Sequence, residues 1–206
     1  MNTFRALLIG SLIAALVACH SQDATPLPIL GIHEVDPVTG DTIYHSIPDL
    51  TFTDQDSAAI SPATFEGKAY IADFFFTSCP TICPKVAKQM LRIYDRYQHE
   101  DRLKMLSFTI DPKHDDVPRL KHYADGLGVS ADRWHFVTGE KDSIYNLAGD
   151  YMSIAKEDPN APGGFDHSGW ILLVDKNHHI RAYCNGTKEE EVDKFMGDID
   201  RLMAEP

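Results

Sequence analysis

The chain has 206 residues, of which 43% are hydrophobic and 24% are charged, and its formal net charge is −12. This length and composition allow one ordinary globular domain with a tail. Because an acidic surface repels nucleic acid, we exclude functions that depend on binding DNA or RNA.

The N-terminus has the layout of a secretory signal. One cation, Arg5, precedes an apolar run from Ala6 to Ala18, which is too short to span a membrane as a mature helix. The run ends in Leu16-Val17-Ala18-Cys19, which resembles the cleavage site of a bacterial lipoprotein. The pattern predicts removal of residues 1–18, acylation of Cys19 and a protein tethered to a membrane surface. An ordinary signal peptide with an incidental cysteine is the alternative.

Residues 19–39 are predicted to form the lipidated tether and the start of an N-terminal β-hairpin. The polar, proline-bearing stretch 20–30 suits a tether. The segments HEV and DTIYHSI then flank the turn sequence DPVTG, which predicts two short antiparallel strands. The segment DLTFTDQD alternates apolar and polar residues, as an outer strand does.

Strands and helices alternate from Lys68 onwards. The predicted strands are 69–76, 103–110, WHFVTG, WILLVD and IRAYCNG, and the predicted helices start at Pro84, Val117, Lys141 and a capping box from Thr187 to Glu190. A glycine- and proline-rich loop, 156–169, precedes the last two strands. This order predicts an α/β fold, a thioredoxin-like open sheet with flanking helices, over residues 40–206.

Cys79 and Cys83 lie in the segment FFFTSCPTICPK, at the predicted turn between the first core strand and its helix. Ligands of open α/β sheets bind outside the carboxyl ends of the strands, where this turn falls. The two thiols could form a structural disulfide, act as a redox pair, or bind a soft ion such as Cu(I) or Zn(II). A disulfide that closes so short a loop stabilises little, so a working dithiol is favoured.

A metal site needs at least one further ligand, and the ten histidines are the candidates. Most of them lie in the tail, in turns or on amphipathic helices, and core packing explains His135. His167 is distinctive because it ends the glycine-rich loop just before WILLVD, a place that faces the dithiol in thioredoxin-like folds. In those folds this position usually holds a cis-proline that docks peptides. This chain has no proline there, which favours a metal site over a peptide-docking site. Asp166 could orient the imidazole ring.

Three separated segments, CPTICP with its preceding FFFTS, TIDPKHDDVPRLKHYADGLG and DHSGWILLVD, resemble the Sco/SenC family over roughly residues 40–204. The resemblance implies a membrane-anchored, thioredoxin-fold copper protein that helps assemble the binuclear copper centre of cytochrome c oxidase. It also implies that Cys79, Cys83 and His167 bind copper, as Cu(I) or Cu(II). The implied partners are the copper-receiving oxidase subunit or another copper chaperone. The implied location is the bacterial cell envelope, facing the periplasm or extracytoplasmic space.

Two further residues carry weaker expectations. Asp111 follows the second core strand at the sheet end where the dithiol falls, and it is either a turn residue or a carboxylate near the copper. Cys184 matches no motif of the family; we expect a small buried residue, with a resolving thiol as the alternative.

Three functions therefore remain open at this stage. The first is a copper chaperone that uses Cys79, Cys83 and His167. The second is a metal-free thiol–disulfide oxidoreductase that uses Cys79 and Cys83 to keep the cysteines of an acceptor reduced. The third and weakest is a thiol peroxidase with one of these cysteines as the attacked sulfur.

Overall fold

The computed structural model describes residues 25–205. A central seven-stranded sheet has the order β11-β10-β5-β6-β7-β3-β4. The strands are β1 (Glu34–Val35), β2 (Thr42–Ile43), β3 (Phe52–Asp54), β4 (Ala59–Ile60), β5 (Ala69–Phe75), β6 (Leu103–Thr109), β7 (Trp134–Thr138), β8 (Ala155–Glu157), β9 (Phe165–His167), β10 (Trp170–Val174) and β11 (Ile180–Asn185). The helices are α1 (Cys83–Arg96), α2 (Val117–Leu127), α3 (Lys141–Asp150) and α4 (Glu189–Ala204).

The centre of the sheet is formed by β5, β6 and β7, which pair in parallel. Every residue of β5 is buried, as is expected of a strand covered on both faces. On its other side β5 pairs antiparallel with β10, which in turn pairs with β11 in the predicted hairpin. The predicted thioredoxin-like α/β fold is confirmed, and the carboxyl ends of the three parallel strands meet at one edge of the sheet.

Helix boundaries follow from local capping. The Asp116 side chain accepts a hydrogen bond from the backbone of Arg119 and starts α2, and Gly128 ends it with a left-handed φ of 73°. The predicted capping box of the last helix is wrong. Lys188 is the N-cap of α4, because the Thr187 hydroxyl donates instead to the side chain of Asn185.

The N-terminal hairpin forms as predicted from β1 and β2. Residues 25–30, part of the predicted tether, lie against the domain. Leu27 is buried, and Leu30 pairs with Ile180 at the start of β11. The buried guanidinium of Arg181 donates to the carbonyl oxygens of Leu27 and Pro28, so the tether is held before the hairpin begins.

The glycine-rich stretch 156–169, predicted as a loop, contributes to a pair of short strands. Its end forms β9, which pairs antiparallel with β8 in a small separate sheet. Gly163 lies between these strands with a left-handed φ of 78°, and a Cβ there would lie 2.8 Å from the Phe76 ring. Glycine thus lets this loop pack closely against the segment that carries the dithiol.

Candidate metal centre

The dithiol lies at the carboxyl end of β5, in the turn that leads into α1. Cys79 is in this turn, which is closed by a hydrogen bond from its backbone N–H to the carbonyl oxygen of Phe76 (3.2 Å). Cys83 is the first residue of α1, and Pro84 follows it in the first helical turn, where its missing N–H costs nothing. The helix start therefore places both sulfurs on the same side of the turn.

A buried carboxylate holds the approach to this turn. Asp115, 1% exposed, accepts hydrogen bonds from the backbone N–H of Thr77 (2.9 Å) and from the Thr109 hydroxyl (2.6 Å). Arg119 pairs with the same carboxylate at 3.3 Å and donates to the Thr77 hydroxyl. The end of β5 is thereby tied to the end of β6. Asp115 lies just before the predicted start of α2 at Val117, and its partner Thr77 is too distant in sequence for a local pattern to reveal.

His167 comes from the last position of β9, across from the dithiol. Its Nε2 atom lies 3.3 Å from the Sγ atom of Cys83 and 3.9 Å from that of Cys79. The Phe76 ring contacts the imidazole edge to face at 5.2 Å and packs against Phe165 at 4.9 Å. The aromatic contacts and a backbone hydrogen bond with Phe165 hold the ring with Nε2 towards the sulfurs.

The two thiols have different environments. Burial by itself would raise the pKa of Cys79, but hydrogen bonds from the backbone of Thr81 and Cys83 and from their side chains lower it below the ordinary value. Burial raises the pKa of Cys83 far above the ordinary value, and the nearby Cys79 and Asp73 add to the effect. Cys79 is therefore the sulfur that ionises first.

Burial lowers the pKa of the His167 imidazole, against the opposing effects of the Phe165 backbone and the Asp166 charge. The ring is therefore neutral at neutral pH, which is the form that binds a metal ion. A neutral imidazole adds no positive charge beside the dithiol, so it does not repel a monovalent or divalent cation bound there.

The donor set fits a single soft metal ion. The ligand atoms of Cys79, Cys83 and His167 all lie within 4.8 Å of one another, and no other group of this kind occurs among residues 25–205. With metal–nitrogen and metal–sulfur bonds of about 2.1 and 2.3 Å, a shared ion requires a nitrogen–sulfur separation below roughly 4.4 Å. Both measured separations satisfy this limit. Two thiolates and an imidazole are ligands typical of copper and zinc.

The other predicted site residues lie elsewhere. The Asp111 carboxylate is buried and pairs with Nδ1 of His114 at 2.9 Å. Asp166 pairs with Nζ of Lys156 at 3.2 Å and acts on His167 only through its charge. Cys184 is a buried free thiol in β11, and burial raises its pKa to about 12. Cys19 lies outside the described residues.

The fold and this cluster together define a thioredoxin-like protein with a dithiol–histidine cluster that could hold a metal ion. The SCO1/SenC family model matches residues 42–204, so the chain belongs to that family. Within residues 25–205, no helix has the length and apolar character needed to cross a membrane.

Relatives of known sequence agree with this assignment. The SCO1 protein homolog of Bacillus subtilis is 25% identical over 201 residues, which cover 97% of this chain and 96% of the homolog. A putative copper-binding protein of Stutzerimonas stutzeri is 29% identical over 144 residues, with 67% of this chain and 68% of that protein covered.

Solved structures agree as well. A SCO1/SenC family lipoprotein from Bacillus anthracis superposes with a TM-score of 0.70 at 25% identity, covering 77% of this chain and 95% of the lipoprotein. BsSco, described as a Sco family member of the cytochrome c oxidase assembly proteins with a disulfide switch, gives a TM-score of 0.69 at 27% identity. That match covers 79% of this chain and 95% of BsSco.

Proposed function

We propose that this protein is a copper chaperone of the bacterial cell envelope, anchored by a lipid on Cys19. It binds one copper ion as cargo through Cys79, Cys83 and His167 and delivers it to, or prepares, the copper centre of cytochrome c oxidase. The observation that carries the proposal is the convergence of two sulfurs and one imidazole nitrogen within 4.8 Å. The copper-binding relative and the oxidase assembly role described for BsSco support it.

The chemistry of the centre suits transient binding. Reduction of the dithiol makes two sulfur ligands available, and His167 supplies a neutral nitrogen ligand. Thiolates favour Cu(I), while imidazole suits Cu(II) as well, so the mixed set accommodates either oxidation state. Because Cys79 is the more easily ionised thiol, we expect its sulfur to exchange with the ligands of an acceptor.

A copper titration of the reduced protein tests the ligand set. We expect one copper ion per chain for the native protein, and a loss of affinity of at least tenfold in Cys79→Ser, Cys83→Ser and His167→Ala. Each of these changes removes one of three donors to the same ion. Cys184→Ser is the matched control and should retain native affinity, since its thiol lies outside the cluster. A His167→Ala variant that binds Cu(II) with native affinity and an unchanged spectrum would show that the ligand set is wrong.

The second candidate function is a metal-free thiol–disulfide oxidoreductase. The unequal pKa shifts of Cys79 and Cys83 favour it, because exchange requires one attacking thiolate and one resolving thiol. Reduction of acceptor cysteines that survives His167→Ala and is lost in Cys79→Ser would support this function. The two roles are compatible, since the dithiol must be reduced before it binds metal.

A further inference from the structure

A cavity of about 330 Å³ opens directly beside the dithiol, between the first two turns of α1 and the end of α2. Both Cys79 and Cys83 line it, and its walls include Ala87 and Leu91 of α1 and Leu127 of α2. His167 does not line it, so the cavity reaches the sulfurs from a side that the imidazole leaves open. A volume of this size lies at the lower end of the range for ligand sites and holds one or two side chains with a short piece of backbone.

Two residues with hydroxyl groups, Thr77 and Tyr123, line the mostly apolar cavity, and the Thr77 hydroxyl is already bonded to Asp115 and Arg119. The Tyr123 ring is fixed by Phe75 and Phe136, at 5.2 and 5.4 Å. Among the described residues, the Tyr123 hydroxyl has no hydrogen-bond partner, and burial raises the pKa of the phenol. This hydroxyl belongs to a residue that lines the same cavity as the two sulfurs, and it can donate to a carbonyl group that enters the cavity.

The rim of the cavity is positively charged, although the whole chain is acidic. Lys88 lines the cavity, and Lys85 lies one turn earlier on the same helix; both are exposed. The first turn of α1 contains no acidic residue, and neither lysine forms an ion pair with another described residue. The rim therefore favours a ligand that carries a carboxylate.

We propose that this cavity docks the partner segment whose cysteine exchanges ligands with the centre. The segment is a cysteine-containing peptide with an apolar side chain next to the cysteine and a carboxylate close behind. The apolar side chain enters the cavity between Ala87 and Leu91, the Tyr123 hydroxyl donates to a peptide carbonyl, and Lys88 pairs with the carboxylate. The docking proposal rests on the proposed function, since only a partner whose cysteine exchanges with the two sulfurs needs a binding site beside them.

The test measures how fast model peptides react with Cys79, without copper. The full chain carrying Cys83→Ser is purified in detergent and mixed with peptides whose cysteine forms a disulfide with an aryl thiol. The Cys79 thiolate attacks the peptide sulfur, the peptide–aryl disulfide breaks, a Cys79–peptide disulfide forms, and the coloured aryl thiolate leaves. Mass spectrometry places the adduct on Cys79 rather than on the buried Cys184.

We expect the peptide Leu-Cys-Leu-Glu to react about tenfold faster than Gly-Cys-Gly-Glu, because a leucine side chain leaves water for the cavity. Ala87→Phe fills the cavity and should bring this ratio close to one. Lys88→Ala should slow the reaction of Leu-Cys-Leu-Glu and leave the rate of Leu-Cys-Leu-Gln unchanged. The matched control Lys85→Ala should slow Leu-Cys-Leu-Glu less than Lys88→Ala does. Tyr123→Phe, which removes only the hydroxyl, should slow all the peptides.

Equal rates for the leucine and glycine peptides would overturn the docking proposal, and so would a leucine preference that survives Ala87→Phe. The peptide comparison uses one protein, so it remains decisive even if a variant folds poorly. A copper titration of Ala87→Phe with Cys83 intact separates the two proposals. Native copper binding by Ala87→Phe, together with equal rates for the leucine and glycine peptides in the Cys83→Ser protein that keeps Ala87, would reject the docking site and leave the metal centre standing.

Discussion

The environments of two sulfur atoms give the dithiol its chemical asymmetry. Cys79 lies in the turn and receives hydrogen bonds from Thr81 and from the start of α1, whereas Cys83 is enclosed beneath it, near the buried carboxyl group of Asp73. Backbone N–H groups that point at a sulfur stabilise its thiolate, as at Cys79. At Cys83 burial outweighs the hydrogen bond from the Phe76 backbone and favours the neutral thiol. The asymmetry suits both metal exchange and thiol exchange, because each begins at the sulfur that ionises more readily.

At this scale we predict that Cys79 is alkylated by iodoacetamide before Cys83. Its lowered pKa makes the thiolate available at lower pH, so its reaction should set in below the pH at which an ordinary cysteine reacts. Cys83 should react only at strongly alkaline pH or after unfolding, since its pKa is raised. Mass spectrometry of the reduced native protein, labelled at a series of pH values, measures both. Equal labelling of the two residues at neutral pH would refute the asymmetry.

The three residues whose donor atoms the structure brings together could be found from sequence because each carries a local signal. These signals are the spacing of Cys79 and Cys83 at a strand-to-helix turn and the position of His167 before a strand. Asp115 and Tyr123 could not be assigned in this way, since their roles depend on contacts between segments that only the folded chain brings together. For the same reason the β8–β9 pairing was missed: a short hairpin within a glycine-rich stretch has no clear alternation.

At the scale of elements, the N-terminal segment, β11 and the end of α4 are joined by one buried cation. Arg181 is 8% exposed and donates to Asp175 at 2.9 Å, to Glu205 at 2.8 Å and to the backbone of the N-terminal segment. The carboxylate of Glu205 also accepts from the backbone N–H of Leu27 at 2.8 Å. A single side chain thus fixes where the predicted tether leaves the domain.

We predict that Arg181→Ala lowers the free energy of unfolding by about 3–5 kcal/mol, because it leaves Asp175 uncompensated in a buried position. Urea denaturation at neutral pH measures the change. The matched control is Arg102→Ala, whose exposed pair with Glu100 should contribute less than about 1 kcal/mol. Equal losses in the two variants would show that the Arg181 cluster has no special role.

In the whole molecule, residues 25–30 and the cluster of Cys79, Cys83 and His167 lie at opposite ends of the sheet. Leu30 joins β11 at Ile180, which pairs with Val174, the end of β10 remote from the dithiol. His167 lies just before the other end of β10, beside the carboxyl end of β5. If Cys19 carries the proposed lipid, we expect the cluster to face away from the membrane, where a partner protein can reach it.

We predict that loss of the proposed lipid anchor changes the location of the protein but not its copper binding. In a bacterial host, Cys19→Ser should abolish incorporation of labelled palmitate, and replacing residues 1–19 with an ordinary cleavable secretory signal should release the protein into the soluble envelope fraction. Copper binding by the released protein should match that of the native protein, because the centre lies remote from the tether. Labelling that persists in Cys19→Ser would contradict the lipoprotein assignment.

X-ray absorption at the copper edge tests whether Cys79, Cys83 and His167 hold one copper ion together. For the reduced protein loaded with one equivalent of Cu(I), we predict two sulfur neighbours and one imidazole nitrogen, with the imidazole signal lost in His167→Ala. A spectrum without an imidazole contribution, or one that His167→Ala leaves unchanged, would contradict this prediction.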